Sequence, residues 1–358
     1  MKKRENGVEL LRILAAFLVC AVHVCNVERE QAIDPDIVNA SFHYFWLVFT
    51  MAQAGVAVFI ALSGAFTLKA HSTTDYAPFY KKAKSRIVMP TIVFSIFYIF
   101  FEGFINYISG AYADKVGDNV SLIMSFVFKL PMAVMGYPAT HMWYMFMLMV
   151  MYLLLPFVAI AKEKMGEKNF LIASWVMWIL GTIDAVSSPP KVSYSLGYCA
   201  DILGIIMLGY QFHEWGLKRK GKTSQAIGMI AGGSAVILVE YLLIYLPLRN
   251  TSVAQTISLQ RPHNPLLALG ALILVAGFTM LDIKVNLGYL GALTLWVYIV
   301  HPAVMEIVFI IEGRLSGVPF TEIGITAPVL VGTVNTIIVF ILSFVMAHLI
   351  EKWRGRKA

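Results

Sequence analysis

The stretch "LLRILAAFLVCAVHV", Leu10 to Val24, is apolar enough to enter a bilayer, yet it carries Arg12 and His23. A charged group at bilayer depth costs at least about 2.5–3.5 kcal/mol, so such residues are functional candidates. Eleven positions in an α-helix amount to about 20° from three full turns and a rise of roughly 16 Å. We therefore predict that Arg12 and His23 share one stripe of a membrane helix, with Arg12 near the cytoplasmic end and His23 in the outer half.

Composition places the whole chain in the membrane. Its 358 residues are 59% hydrophobic and 14% charged, with a mean hydropathy of +0.74. Soluble domains carry about 25% charged residues, so this chain has too few charged residues to cover the surface of a soluble domain of its size. The three cysteines lie in or beside apolar runs without a CxxC pair, which favours buried thiols over a disulfide or a metal site.

Apolar runs of about 20 residues predict an all-α polytopic membrane protein with about ten transmembrane helices. We expect a single membrane domain over residues 1–358, with no soluble domain. The predicted spans are 8–27, 42–68, 87–109, 142–161, 169–187, 197–214, 224–246, 264–281, 287–311 and 326–350. Segment 120–138 is ambiguous and is predicted to be re-entrant or interfacial, because it contains a lysine and two prolines.

The basic residues set the orientation of these spans. Of the 28 lysines and arginines, 20 fall in segments that ten spans place inside and 7 fall outside, while Arg12 lies within a span. Cytoplasmic loops are enriched in such residues, so both termini are predicted to be cytoplasmic. The same bias explains the net charge of +7 without invoking nucleic acid.

Arg12 and His23 of the first span each also allow a structural interpretation. Arg12 is also consistent with an interfacial anchor that snorkels to the membrane surface and pairs with Glu9 one turn earlier. His23 is also consistent with a structural histidine that is hydrogen-bonded between helices. The sequence leaves these alternatives open.

A basic segment, "FYKKAKSRIVMP" from Phe79 to Pro90, precedes the third span. Lys82, Lys84 and Arg86 suit the phosphates of a cytosolic ligand, with Arg86 offering a bidentate fork. A topology signal accounts for the same charges, so both interpretations remain open.

Two further segments join a histidine to large aromatic residues: "THMWYMF" (Thr140 to Phe146) and "LWVYIVHP" (Leu295 to Pro302). The candidate cavity residues in them are His141, Trp143, Tyr144, Tyr298 and His301. An interfacial aromatic belt is the alternative for Trp143 and Tyr144. Pro302 frees a backbone carbonyl, which membrane helices tolerate where they line a polar cavity.

Small residues in "GVAVFIALSGAF", Gly55 to Phe66, predict close helix packing at the glycines, with Ser63 as a candidate cavity hydroxyl. Acidic residues within or beside spans are candidates for orienting a histidine: Glu102, Asp184, Asp201, Glu240 and Glu306. No HExxH motif, phosphate-binding glycine loop or nucleophile elbow is present, and no metal is expected.

These motifs, in this order, resemble the acyltransferase-3 family of bacterial integral membrane acyltransferases over nearly the whole chain. The resemblance implies a ten-helix bundle in the bacterial cytoplasmic membrane. It also implies transfer of an acyl group, with acetyl expected, from cytosolic acyl-CoA to a hydroxyl of a cell-envelope glycan or lipid-linked saccharide. His23 resembles the family's catalytic histidine, Arg12 its first-helix arginine, and Arg86 the second arginine of its RxxR motif. The first arginine of that motif is Ala83 here, with Lys82 or Lys84 as substitutes.

Two other functions remain open from the sequence. A secondary transporter or exporter of a small polar metabolite, such as an amino acid, also carries ionisable residues in mid-membrane. The absence of visible repeat symmetry in the sequence argues against it. A non-catalytic scaffold of an envelope-synthesis complex predicts instead that Arg12 and His23 tolerate substitution.

Overall fold

The computed structural model describes residues 5–31, 40–68, 76–108, 140–187, 196–242, 264–316 and 328–355. These residues are helical apart from short turns, and they contain no β-strand. The helices are α1 (Asn6–Gln31), α2 (Ala40–Ala52), α3 (Ala54–Thr67), α4 (Tyr76–Ala83), α5 (Met89–Ile108), α6 (Trp143–Ser187), α7 (Leu196–Leu217), α8 (Thr223–Glu240), α9 (Pro265–Met280), α10 (Gly288–Ser316) and α11 (Pro328–Trp353).

Within the residues that the structure describes, each predicted span falls on a helix, on a pair of helices or on one half of a long helix. Seven helices in the described part of the chain are long and apolar enough to cross a membrane. One of them, Trp143–Asp184, holds two predicted spans on either side of Gly166, whose φ of 74° breaks the helix. The prediction of an all-α polytopic membrane protein is confirmed. The count of ten and the sides of the termini stay predictions, and segment 120–138 lies outside the described residues.

The chain forms two compact units, Met1–Lys69 with Met165–Ala358, and Ala70–Lys164. The first unit contains α1 to α3, the second half of α6, and α7 to α11. The second contains α4, α5 and the first half of α6. That the chain functions as a single domain stays a prediction.

Two helices form the centre of the first unit. Helix α1 packs against α2, α3, α9, α10 and α11, and α9 packs against α1, α3, α7 and α8. Most residues of α9 are buried, which explains why it is apolar on every side rather than on one stripe. Helix α1 therefore carries Arg12 and His23 through the interior of a helical bundle.

Glycines allow α3 to approach its neighbours closely, as predicted. A Cβ atom at Gly64 would overlap the backbone carbonyl of Ile206 on α7, and one at Gly55 would lie 2.6 Å from the carbonyl oxygen of Ala15 on α1. Backbone contact of this kind is what small residues provide in membrane helices. The packing interpretation of these glycines is confirmed.

Candidate functional site

Helices α1 and α10 bring His23 and His301 together. The centroids of the two imidazole rings are 4.8 Å apart and their planes are inclined by 50°. His301 is fully buried, whereas His23 is partly exposed. Two residues far apart in the sequence thus form one ring contact within the first unit.

Pro302, which follows His301, determines which nitrogen of the His301 ring carries the proton. Pro302 has no backbone N–H, so the carbonyl of Tyr298, four residues earlier, loses its helical donor. The Nδ1 atom of His301 lies 2.7 Å from that carbonyl oxygen. Because a carbonyl only accepts, Nδ1 carries the proton and donates it. In the neutral ring Nε2 is then the basic nitrogen, and the freed carbonyl predicted from the sequence has a specific use.

Arg12 is held by contacts near the N-terminal end of α1. Its Nη1 atom donates to Glu9 Oε2 at 3.0 Å, and its guanidinium carbon lies 5.4 Å from the centroid of the Phe66 ring on α3. Glu9 is buried and faces Gly291 of α10, where a Cβ atom would overlap its carboxylate. The pairing with Glu9 that the sequence allowed is therefore present.

Arg12 and His23 do not contact each other. The partners of Arg12 are Glu9 and Phe66, while His23 meets His301 three helical turns further along α1. The roughly 16 Å of helical rise between them suits the two ends of one elongated ligand better than a direct ion pair. That role stays a prediction.

The hydroxyl of Ser63 donates to the carbonyl of Phe59 in its own helix at 2.9 Å. A bond of this kind satisfies a hydroxyl inside a membrane helix without a partner from another helix. Its suggested place in a cavity stays a prediction.

The Nδ1 proton of His301 is donated to the Tyr298 carbonyl rather than to a carboxylate. Asp201 instead accepts from the Thr182 hydroxyl at 3.3 Å. The carboxylate of Glu240 is fully buried at the end of α8.

The second unit places His141 against Tyr98. The two ring centroids are 4.7 Å apart in an edge-on arrangement, and both residues are buried. Tyr144 is also buried, which does not suit an interfacial belt, whereas Trp143 is partly exposed.

The basic segment of the second unit is continuous from α4 through a π-helical turn, Lys84–Val88, into α5. Pro90 explains the turn, since a proline cannot donate to the carbonyl of residue 86 and its ring crowds that carbonyl. Lys82, Lys84 and Arg86 are exposed, whereas Ala83 is only 7% exposed. The position that holds an arginine in the family motif thus faces the interior, and the flanking lysines supply the exposed charges.

One partly buried polar pair, His213 with Glu5, was not predicted. His213 Nε2 on α7 lies 2.6 Å from Glu5 Oε2, just before α1 begins. The signal in the sequence is a histidine beside a glutamate at the end of a span, "FHEW" at residues 212–215. Among the residues that the structure describes, no three His, Cys, Asp or Glu side chains are grouped to hold a metal ion.

A family model described as an acyltransferase domain matches residues 5–348. No curated protein and no solved structure is significantly similar to the chain. The matched residues include Arg12 and His23 of α1, the basic segment and His301.

Proposed function

Because the chain belongs to the acyltransferase-3 family and forms a multi-pass membrane protein, we propose that it acylates the cell envelope. The donor is cytosolic acyl-CoA, with acetyl as the expected acyl group. The acceptor is a hydroxyl of a cell-envelope glycan or a lipid-linked saccharide, and the location is the bacterial cytoplasmic membrane. The observation that carries the proposal is the contact between His23 and His301 inside the bundle.

His23 acts as the general base. Its neutral imidazole takes the proton of the acceptor hydroxyl while the oxygen attacks the thioester carbonyl. The tetrahedral intermediate then collapses, the carbon–sulfur bond breaks, and the imidazolium returns the proton to the leaving thiolate. The products are an acyl ester and free CoA, and His23 is neutral again.

His301 positions His23 rather than reacting itself. Its Nδ1–H is committed to the Tyr298 carbonyl, so the ring has one tautomer and one orientation. A fixed, buried ring at 4.8 Å limits how the partly exposed His23 ring can turn. Preorganisation of this kind lowers the barrier without a further proton transfer.

Arg12 stabilises negative charge on the acyl-CoA donor. A guanidinium has five N–H donors, and the bond to Glu9 uses one of them. Glu9 and Phe66 hold the group in place, so the remaining donors are preorganised for the thioester or for phosphate oxygens.

Lys82, Lys84 and Arg86 bind the phosphates of CoA. Their exposure and the fork geometry of Arg86 support this assignment, and the burial of Ala83 accounts for the use of lysines beside it. Because lysine is a point charge, we expect this part of the site to depend strongly on salt.

The experiment that tests the proposal uses purified protein in proteoliposomes with labelled acetyl-CoA and envelope fractions of lipid-linked saccharides and glycans. We expect label to enter the saccharide as an alkali-labile ester, with release of one free thiol per ester. Uptake of a small metabolite without consumption of acetyl-CoA would support a transporter instead. Protein-free liposomes provide the control.

A further inference from the structure

An apolar groove opens on the surface of the first unit between α1, α10 and α11. It has a volume of about 440 Å³. Leu290 and Leu293 line it from α10, Phe340, Phe344 and Val345 from α11, and Ile13 from α1. All of these side chains are hydrocarbon, so the groove suits an aliphatic chain rather than a polar metabolite.

One end of the groove is polar. The Tyr289 hydroxyl and the His348 Nδ1 atom lie 2.6 Å apart, and both residues belong to the groove lining. With the hydroxyl donating to Nδ1, the neutral His348 ring carries its proton on Nε2 as a further donor. His348 is exposed, so its ring is accessible to a headgroup outside the protein.

The groove has the depth of one leaflet. Trp353, at the end of α11, is 89% exposed and marks the membrane interface, where tryptophan is enriched. From His348 to Phe340 the helix rises about 12 Å. The hydrocarbon of a single leaflet is about 15 Å thick, half of the bilayer core. The polar end lies nearer the interface and the apolar end nearer the bilayer centre.

The charge around the polar end is positive. Lys352 is exposed one turn beyond His348. Of the described residues after Ile350, Lys352 and Arg354 are basic and Glu351 is acidic, and Glu351 pairs with Arg354 at 3.5 Å. Basic segments at the end of a membrane helix attract anionic headgroups.

We propose that this groove binds one acyl chain of an anionic phospholipid from the cytoplasmic leaflet, with the lipid phosphate at His348 and Lys352. The apolar lining takes the chain and the polar end takes the headgroup. Ile13 is the neighbour of Arg12 on α1, so a bound lipid also supports the helix that carries the candidate site. Lipid binding itself does not depend on the proposed acyl transfer.

The chain of an acyl-CoA donor is a poorer occupant. The Phe17 ring on α1 contacts Phe340 at 5.2 Å between centroids, which fixes the inner end of the groove at the level of Phe17. His23 is about 9 Å of helical rise further along α1. A thioester held at His23 would therefore present its carbonyl beyond the apolar end of the groove, with its phosphates away from His348.

Native mass spectrometry of the full-length protein in detergent tests the proposal. The probes are phosphatidylglycerol, phosphatidylcholine with the same chains, and palmitoyl-CoA. The variant Val345→Trp fills the groove from a half-exposed position, and Met346→Trp is the matched control beside it, also exposed and outside the groove lining. His348→Leu removes the headgroup donor without filling the groove.

We expect wild type and Met346→Trp to retain phosphatidylglycerol in preference to phosphatidylcholine, and Val345→Trp to lose it. His348→Leu should bind phosphatidylglycerol about tenfold more weakly, as loss of a hydrogen bond to a charged group predicts. Equal retention of both phospholipids by wild type, unchanged binding by Val345→Trp, or displacement by palmitoyl-CoA would overturn the proposal. Size-exclusion elution checks the fold of each variant, and His348→Leu keeps the test decisive if Val345→Trp does not fold.

Discussion

At the scale of single residues, Pro302 decides which nitrogen of His301 carries the proton. It leaves the Tyr298 carbonyl without a helical donor, and His301 Nδ1 takes that place at 2.7 Å. The ring that faces His23 thereby has one tautomer. A residue with no polar side chain thus acts on the candidate site through the backbone.

The variant Pro302→Ala tests this relation. Alanine restores an N–H that competes with His301 for the Tyr298 carbonyl. We therefore expect kcat to fall about fivefold, because one hydrogen bond contributes about 1 kcal/mol net. KM for acyl-CoA should change little, and thermal stability should rise because a proline in a helix interior is costly. Pro156→Ala in α6 is the matched control, with kcat unchanged. An unchanged kcat in Pro302→Ala would mean that the tautomer is irrelevant to the reaction.

Variants of the Arg12–Glu9 pair distinguish a role of Arg12 as a membrane anchor from a role in the reaction. Arg12→Ala leaves the carboxylate of Glu9, which is only 6% exposed, without its guanidinium, and should lower stability by about 1–3 kcal/mol. Adding Glu9→Gln should recover part of that loss in a denaturation experiment. If Arg12 acts on the substrate, the double variant stays inactive. Recovery of activity together with stability would make Arg12 an anchor only.

At the scale of helices, close approach depends on particular glycines. Gly64→Ala places a Cβ against the Ile206 carbonyl, so the contact between α3 and α7 must open and the melting temperature should fall. Gly232→Ala is the matched control on α8, where no heavy atom lies within 4 Å of the added Cβ. There we expect a gain of about 0.5–1 kcal/mol, because alanine is the better helix former. Equal melting temperatures for the two variants would contradict the packing described for α3.

In the basic segment, Ala83 is buried whereas the cations beside it are exposed. Ala83→Arg completes the family's RxxR pattern, but its position faces the interior of the second unit. We expect lower stability and no fall in KM for acyl-CoA, whereas Lys84→Ala, at an exposed position, should raise that KM in a salt-dependent way. Tighter donor binding by Ala83→Arg, measured at equal protein concentration, would show that the family pattern outweighs the local geometry.

At the scale of the whole molecule, the sequence predicts the apolar helices that a bilayer requires. It does not predict the contacts between residues that are far apart in the chain. The long apolar helices were predictable from apolar length, since a spanning helix needs about 20 such residues. The turn at Gln53 between α2 and α3 was not predicted, because no proline marks it and the Gln53 backbone stays right-handed helical (φ −59°, ψ −24°). The carbonyl freed by Pro302 was predictable from spacing within one helix. The contact of His23 with His301 was not, because it depends on how two helices far apart in sequence pack.

The orientation of Ala83 was also beyond the sequence. The residues that face the interior in this segment are Phe79, Ala83 and Ile87, a stripe that continues from α4 into the π-helical turn. Motif spacing alone assigns residue 83 to the donor site. Only the structure shows that the exposed cations lie at the positions beside it.

The most direct test of the central claim, that His23 is the base in acyl transfer, is a single-turnover measurement with labelled acetyl-CoA and a saccharide acceptor. His23→Gln keeps hydrogen-bonding capacity but cannot take a proton at neutral pH, and Leu14→Ala on an exposed position of the same helix is the control. We predict that His23→Gln lowers the transfer rate by about 100-fold or more, with donor binding unchanged, and that Leu14→Ala transfers at the wild-type rate. Transfer by His23→Gln at the wild-type rate would contradict the account.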